Sequence, residues 1–361
     1  MTATRTPTPT EDRLEPVDLG YRQLRLGAGP IAVSVRLRSA IVGAAVAAAV
    51  LVLGILGLGL GTYPLSPDAV VRALLGGGDA LDRTVVYEWR LARVIAAITL
   101  GAFLAVAGAL FQTVTRNPLA SPDILGLSNG AFTGMLVSVV VFSASWPLMT
   151  AGAVIGGLLT ALVIWAFAHR GGAQGFRLIV IGIGVSAMLA SANTWMLLEV
   201  ELETAMFASA WGAGTLNGVT GPPLAGAIAC GIPLFAVLLF LAPQLRQLDL
   251  GDDVAAATGA RPQLVRALVL LAAVGLVSIS TAVIGPVAFI ALAAPQIARR
   301  IARTPYLSLP LAALVGALLL LASDLIAQHV LPVTLPVGVV TVSVGGLYLV
   351  VTIVQEIRRR A

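Results

Sequence analysis

Two glycines eight residues apart, Gly251 and Gly259, enclose the run Asp252-Asp253-Val254-Ala255-Ala256-Ala257-Thr258. This spacing predicts a short helix with two carboxylates in its first turn, where acidic side chains suit the positive end of the helix dipole. With Asp249 and Leu250 just before it, the run sits in the most hydrophilic internal segment, 246–262. A compact helix at a water-facing surface is a feature that a separate motor protein can grip, and its bland counterpart is a solvated loop. The other charged candidates are fewer. Arg90 and Arg93 share one helical face at i,i+3, as an interfacial pair or a positive patch for an acidic partner. Asp324 lies in the last turns of an apolar stretch, and Glu199, Glu201 and Glu203 form an acidic loop. His169 and His329 fall in loops on opposite faces, so no metal site is expected, and no nucleophile triad is present. All 22 basic residues are arginine. Without lysine there is neither a G-x-x-x-x-G-K phosphate loop nor a Schiff base. The Gly-Leu-Gly-Leu-Gly run at 57–61 lacks the preceding strand that a dinucleotide fingerprint needs. The chain is therefore expected to be no enzyme, to bind no cofactor and to contact no nucleic acid.

The elements that position these residues are apolar helices. Of the 361 residues 58% are hydrophobic and only 11% charged, with a mean hydropathy of +0.97, whereas soluble domains carry about 25% charged residues. The expectation is an all-α, polytopic membrane protein. About ten spans are predicted, near 39–61, 91–114, 125–142, 148–168, 178–198, 222–243, 264–283, 286–298, 309–327 and 336–355. The eighth is short, so 283–298 reads as a tilted or broken helix. Residues 1–38 read as a flexible cytoplasmic tail, and 39–357 as one transmembrane domain. Segment 62–90 is an external connection carrying a short helix that starts at Ser66-Pro67-Asp68, and Trp211 to Gly218 reads as an interfacial belt. Cys230 reads as a small buried hydrophobe. Eighteen arginines fall on the tail, on alternate loops and on the C-terminus, against Arg72, Arg83, Arg90 and Arg93 on the other face. That asymmetry orients the chain N-in and C-in by the positive-inside rule.

One stretch interrupts the apolar pattern sharply: Arg116-Asn117-Pro118-Leu119-Ala120-Ser121-Pro122-Asp123. Proline lacks an N–H and restricts the residue before it, and irregular backbone in hydrocarbon survives only against protein or a watery cavity. Its position on the arginine-rich side makes it a bend at the cytoplasmic end between spans two and three. It does not read as a midplane filter. A weak duplication, spans two to five against seven to ten, is also visible, each half holding a Gly-rich helix and then a proline-containing break.

Several ordered motifs then carry a likeness. Arg90-Leu91-Ala92-Arg93, the run from Gln112 through Asn117-Pro118, Pro122 and Gly126, and Asn129-Gly130-Ala131 are among them. So are Leu250-Gly251 through Gly259, Gly285-Pro286-Val287-Ala288-Phe289-Ile290, Ala294-Pro295-Gln296 and Leu335-Pro336-Val337-Gly338. From about residue 60 to 357 the sequence resembles the permease subunits of ABC importers for iron–siderophore complexes, haem and vitamin B12. It is closer to the ferric catecholate (enterobactin-like) kind. The resemblance implies a type II importer permease of ten helices, paired with a second permease as homodimer or related heterodimer. It also implies two cytoplasmic ATPases that use ATP and Mg, an external siderophore-binding protein, and a place in the cytoplasmic (inner) membrane. By that likeness Asp249, Leu250, Gly251, Asp252, Asp253, Ala256 and Gly259 belong to the ATPase-coupling segment, and Arg90 and Arg93 to the outer docking surface. Arg116, Asn117, Pro118, Pro122, Gly126, Gly285, Pro286, Pro295, Pro336 and Gly338 are signature positions of the fold. Two departures stand out: Ala92 replaces the family's proline, and Gln296 replaces its common histidine. The competing class is an ion-gradient-driven secondary transporter.

Overall fold

The computed structural model describes residues 23–26, 33–123, 125–142, 146–168 and 174–360. The expectations for 1–22, Ser145 and the loop 169–173 lie outside these residues. Two short antiparallel strands, β1 (Gln23–Leu26) and β2 (Val33–Arg36), pair with Gln23 opposite Arg36. Among the described residues, every regular element after them is a helix. α1 (Leu37–Gly59), α2 (Pro67–Leu74) and α3 (Ala80–Thr84) come first, and a π-helical stretch, Val85–Arg90, then feeds α4 (Leu91–Thr115). α5 (Leu127–Phe142), α6 (Trp146–Ala168), α7 (Gln174–Glu199) and α8 (Leu202–Gly212) follow. Next come α9 (Gly221–Asp249), α10 (Asp252–Ala257) and α11 (Pro262–Ile284). The chain closes with α12 (Ile290–Ala302), α13 (Leu309–His329) and α14 (Val337–Arg360). Among the described residues, seven helical segments are long and apolar enough to cross a membrane. They are α1, the continuous rod of α3 and α4, α6, α7, α9, α11 and α13, with α5 and α14 as shorter apolar helices.

α4 is the most buried of the seven, and small residues explain how it comes to be so enclosed. A side chain on Gly101 would meet the Gly316 carbonyl of α13 at 2.6 Å, and one on Gly108 would strike the Ala291 carbonyl of α12. Phe103 packs on Phe235 of α9 with ring centroids 5.4 Å apart. The α5–α6 pair uses the same device. Gly130 and Gly134 on one helix and Gly152 and Gly156 on the other are each four apart. A Cβ on any of them would run into the facing helix at Thr160, Ser138 or a glycine backbone. Between apolar helices in lipid, close backbone approach of this kind supplies the packing energy that a hydrophobic drive cannot.

Several expectations need correction. The sixth span does not stop near 243: α9 runs on to Asp249, past Pro233 and Pro243. Leu238, Leu241, Leu245 and Leu248 are all buried, and their three-and-four spacing is a helical stripe that keeps the helix docked through its polar end. The expected belt at 211–218 contains the end of α8, and Trp211 is buried, stacked on Phe132 at 5.8 Å. Cys230 is exposed on α9. The short eighth span is the 13-residue α12, which begins only at Ile290 after the non-helical residues 285–289.

These crossings give a direct test. Gly134→Leu forces a side chain into the Gly152 backbone and should cost at least the ~1–3 kcal/mol of an overpacked core, read as a lower melting temperature of the detergent-solubilised protein. Gly226→Leu, where a Cβ meets nothing within 4 Å, should leave that temperature unchanged. Equal effects from the two would refute glycine-mediated crossing.

Candidate functional site

The charged residues picked out by type gather into two polar junctions at the two ends of α4. Arg93 and Arg116 are 23 residues apart (116 − 93), about 35 Å along a helix at its rise per residue.

At the first end, Arg93 donates from Nε and Nη2 to the two carboxylate oxygens of Asp324 on α13, at 2.9 and 2.7 Å. Its Nη1 reaches Asn217 Oδ1 at 2.5 Å, and Gln328 donates to Asp324 Oδ2 at 2.7 Å. The Asp324 side chain is only 4% exposed, so its charge is matched by a two-pronged guanidinium. Packing is thus the role the structure gives to Asp324. Arg90 turns the other way. Nη1 donates to the Leu58 and Gly59 carbonyls at 2.8 and 3.2 Å, and Nη2 to the Tyr63 carbonyl at 2.7 Å. A cation here satisfies carbonyls that the end of α1 leaves without intrahelical partners. Both guanidiniums expected on an outer surface are therefore engaged by this chain's own acceptors.

The segment 213–218 that carries Asn217 is a knot within the expected interfacial belt. Thr215 N–H donates to the Ile284 carbonyl at 2.7 Å, and Gly338 N–H to the Gly214 carbonyl at 3.0 Å. Side chains on Gly285 and Gly338 would strike the Trp211 and Ala213 carbonyls. The signature glycines at the end of α11 and the start of α14 are small because this knot passes against them. Pro286 presents its carbonyl to Gly214, and Pro336 accepts from Val339 N–H at 3.1 Å.

At the other end stands the predicted short helix. α10 has Asp252 and Asp253 in its first turn, with Gly251 at φ 111° before it and Gly259 at φ 88° after it. A Cβ at either glycine would meet open space, so only the left-handed backbone demands glycine there. Asp253, Val254, Ala256, Ala257 and Thr258 are exposed, as are Leu250 and Gly259, while Ala255 is fully buried. Asp252 is half-exposed and paired within the chain. Its Oδ1 accepts from Arg116 Nη2 at 2.7 Å and from Arg266 Nη2 of α11 at 2.5 Å. The hydrogen-bonded Arg266 guanidinium holds the Asp252 carboxyl below the usual carboxylate range. Its contribution is therefore present at neutral pH and fades only as acidification protonates it. Arg116 Nη2 also reaches the Leu248 carbonyl at 3.3 Å.

Arg116 ends α4 in the left-handed conformation, φ 50°. From there the break does more than turn at one end. Asn117 Oδ1 accepts from Leu119 N–H at 3.0 Å, Ala120, Ser121 and Pro122 are buried, and Gly126 turns at φ 82°. Leu125 and Gly126 lie against Gly182 and Ser186. Those positions are eight and twelve residues into α7, or about 12 and 18 Å along it. The second half of the break thus climbs alongside α7, enclosed by protein as irregular backbone at that depth requires. Asp123 accepts from the Ser121 and Ser128 hydroxyls at 3.2 and 3.0 Å, and the backbone of Phe289, the left-handed residue just before α12, lies near its carboxylate. On α12, Pro295 is buried, and Gln296 donates to Gln112 Oε1 at 2.5 Å while Gln112 donates to the Leu292 carbonyl at 3.1 Å. An amide pair fills the position of the family's usual histidine. Among the described residues, no three His, Cys, Asp or Glu side chains converge on a point.

The Arg93–Asp324 pair predicts an asymmetric mutant series. Asp324→Ala should cost ~3–5 kcal/mol by leaving a largely buried guanidinium unmatched, and the double change Arg93→Met with Asp324→Leu should recover most of it. Thermal unfolding in detergent reads both; a double variant no better than the single would contradict the pairing.

Comparisons with known proteins agree on one group. The family model described as the FecCD transport family matches residues 49–355. The ferric enterobactin transport system permease protein FepG of Escherichia coli (strain K12) is 47% identical over 313 residues, covering 86% of this chain and 95% of that one. The iron(3+)-hydroxamate import system permease protein FhuG of Bacillus subtilis (strain 168) is 31% identical, covering 83% of this chain and 93% of that one. A solved metal-chelate type ABC transporter in an inward-facing conformation shares the fold. Its TM-score is 0.78 at 23% identity, covering 88% of this chain and 99% of that one. With its match spanning most of the sequence, this chain belongs to the FecCD transport family.

Proposed function

We propose that this chain is the membrane-spanning half of an ATP-driven importer that moves an iron–siderophore complex delivered by an external binding protein. The observation that carries it is the placement of α10. This acidic, glycine-bounded helix leaves one face open at the end of the bundle, in a family whose relatives include a ferric enterobactin permease 47% identical to this chain. The chain contributes no lysine-dependent phosphate loop, so ATP and Mg are handled by two separate cytoplasmic ATPases. A second permease, identical or related, completes the path. The substrate class follows the relatives, whose names specify ferric enterobactin, iron(3+)-hydroxamate and other siderophores. The 47% identity favours a catecholate.

In this reading the helices cross the cytoplasmic (inner) membrane ten times, N-in and C-in. The seven long apolar segments and the shorter α5 and α14 supply nine crossings. The tenth is α12 together with the non-helical 285–289, which makes up the length that 13 helical residues lack. The arginine distribution supports the orientation: it puts the 246–262 segment and α10 at the cytoplasmic face, and the 62–90 segment and the 213–218 knot outside. Asp249, Leu250, Gly251, Asp253, Ala256 and Gly259 then belong to the surface that meets the ATPase. Leu250 and Val254, 69% and 46% exposed, give that contact an apolar centre beside the acidic Asp253. Arg90 and Arg93 serve the outer docking surface by fixing its shape, through the end of α1 and through Asp324.

Uptake of labelled iron decides this reading. Cells relying on this system should accumulate iron from a ferric catecholate, with haem and vitamin B12 failing to compete. Uptake should vanish when the ATPase is inactivated and persist when the proton gradient alone is collapsed. Uptake that follows the proton gradient with ATP present would instead identify a secondary transporter. At the contact itself, Asp253→Arg with Val254→Asp should cut ATPase co-purification by about tenfold, a typical loss when a charge and an apolar anchor are removed from one interface. Unchanged co-purification would remove α10 from it.

A further inference from the structure

The two acidic residues of α10 point to different tasks. Asp253 is exposed with no ion pair among those of the described residues, whereas Asp252, its side chain 42% exposed, receives two guanidiniums, from Arg116 at 2.7 Å and Arg266 at 2.5 Å. A carboxylate committed to two internal cations offers little to a partner. It joins three elements at this end of the bundle: α10, the residue that follows α4 and the first turns of α11. Arg116 adds a fourth link, to the Leu248 carbonyl in the last turn of α9.

We infer that Asp252 is a positioning residue for transport: it passes displacement of α10 into the bundle and takes no part in gripping the ATPase. The inference rests on the reading of α10 as the ATPase contact.

The route inward follows from the covalent chain and its hydrogen bonds. Arg116 is the left-handed residue that follows α4 and the first of the break, so a pull on its guanidinium acts on the backbone that leads to Asp123. Asp123 holds Ser121 and Ser128 by their hydroxyls, and the backbone of Phe289 lies near its carboxylate. Phe289 in turn is the left-handed start of the half-length α12 (φ 70°), and its ring lies against Gly345 of α14. α4 itself is held between glycine crossings along its length, which makes it a poor candidate for bending. The two breaks, 116–126 and 285–289, are instead stretches whose backbone is not fixed by a helical ladder. Left-handed non-glycine residues such as Arg116 and Phe289 carry conformational strain that their surroundings must hold. They are therefore natural points for a second arrangement. Arg266 gives a parallel route, since it begins the helix whose far end is Gly285. Several charges sharing one centre form a network, and networks hold geometry where a single surface pair does not.

The test uses the complete transporter, permease pair, ATPases and binding protein, reconstituted in lipid vesicles. Four quantities are compared: ATPase co-purification, ATP hydrolysis, iron–siderophore transported per ATP, and melting temperature. Asp252→Asn should keep the ATPases bound and hydrolysing while transport per ATP falls by about tenfold, within the usual span of coupling between linked sites. Asp252→Glu, which keeps the charge, should restore most of that transport. Arg116→Gln leaves Arg266 on Asp252 and should also lower transport per ATP with the ATPases still bound; it serves as the readout if Asp252→Asn does not assemble. Loss of ATPase co-purification in Asp252→Asn at an unchanged melting temperature would make Asp252 a grip residue and overturn the inference. Wild-type transport per ATP in both Asp252→Asn and Arg116→Gln would overturn it too. Failure of the underlying reading looks different: the unaltered transporter would then show no ATP-dependent uptake, and Asp253→Arg with Val254→Asp would not release the ATPases.

Discussion

Polar groups set among apolar helices must find their partners within the protein, because lipid offers no hydrogen bonds. That constraint organises the structure. Arg93 is drawn to Asp324 and Asn217, Arg90 to the carbonyls that close α1, and Asp252 to Arg116 and Arg266. The unpaired backbone of the two breaks is handled in the same way. The Phe289 backbone lies near the Asp123 carboxylate, and the 213–218 knot takes up the carbonyl of Ile284 and the N–H of Gly338. Polar groups therefore collect where helices stop, and the junctions that result tie together elements far apart in sequence.

Between the junctions the chain is held by closeness of backbones. Glycines on α4, α5, α6 and α13 let helix axes approach until one helix's carbonyls touch the next helix's Cα atoms. Such contacts are short-ranged and tolerate little displacement, so the region they hold moves as a unit. The breaks at 116–126 and 285–289 lack a helical ladder and are joined to each other through Asp123 and Phe289. A permease must be firm enough to transmit force and open enough to change shape, and in this fold the two properties fall on different residues.

Much of this was legible in the sequence, for identifiable reasons. Long apolar runs gave the helices, and the two glycines eight apart, with acids following the first, gave α10 because glycine at positive φ and carboxylates at a helix start are local effects. What was missed was non-local. The continuation of α9 to Asp249 depended on Leu245 and Leu248 finding a buried face, although their spacing from Leu238 and Leu241 was a readable clue. The paired Gly-x-x-x-Gly spacings at 130–134 and 152–156 were a second clue to the α5–α6 crossing. Nothing in the local residues announced that Trp211 would be buried, that Cys230 would face outward, or that Asp324 would pair with an arginine 231 positions away. The outward-facing expectation for Arg90 and Arg93 came from their i,i+3 spacing, their position and the family likeness. Their carbonyl and carboxylate partners belong to α1, α13 and the 213–218 segment, which only the folded chain brings near.

The break that interrupts the apolar pattern at 116–123 links the two ends of this arrangement, since its first residue binds α10's carboxylate and its last lies beside the backbone just before α12. The most direct measurement is hydrogen exchange on the complete transporter in lipid, with and without a non-hydrolysable ATP analogue. The account predicts that nucleotide binding changes exchange at 116–126 and 285–290 together, while the amides of α4 from 95 to 112 stay as protected as before. Nucleotide-dependent exchange confined to α10, with both breaks unaltered in a transporter that still imports, would contradict it.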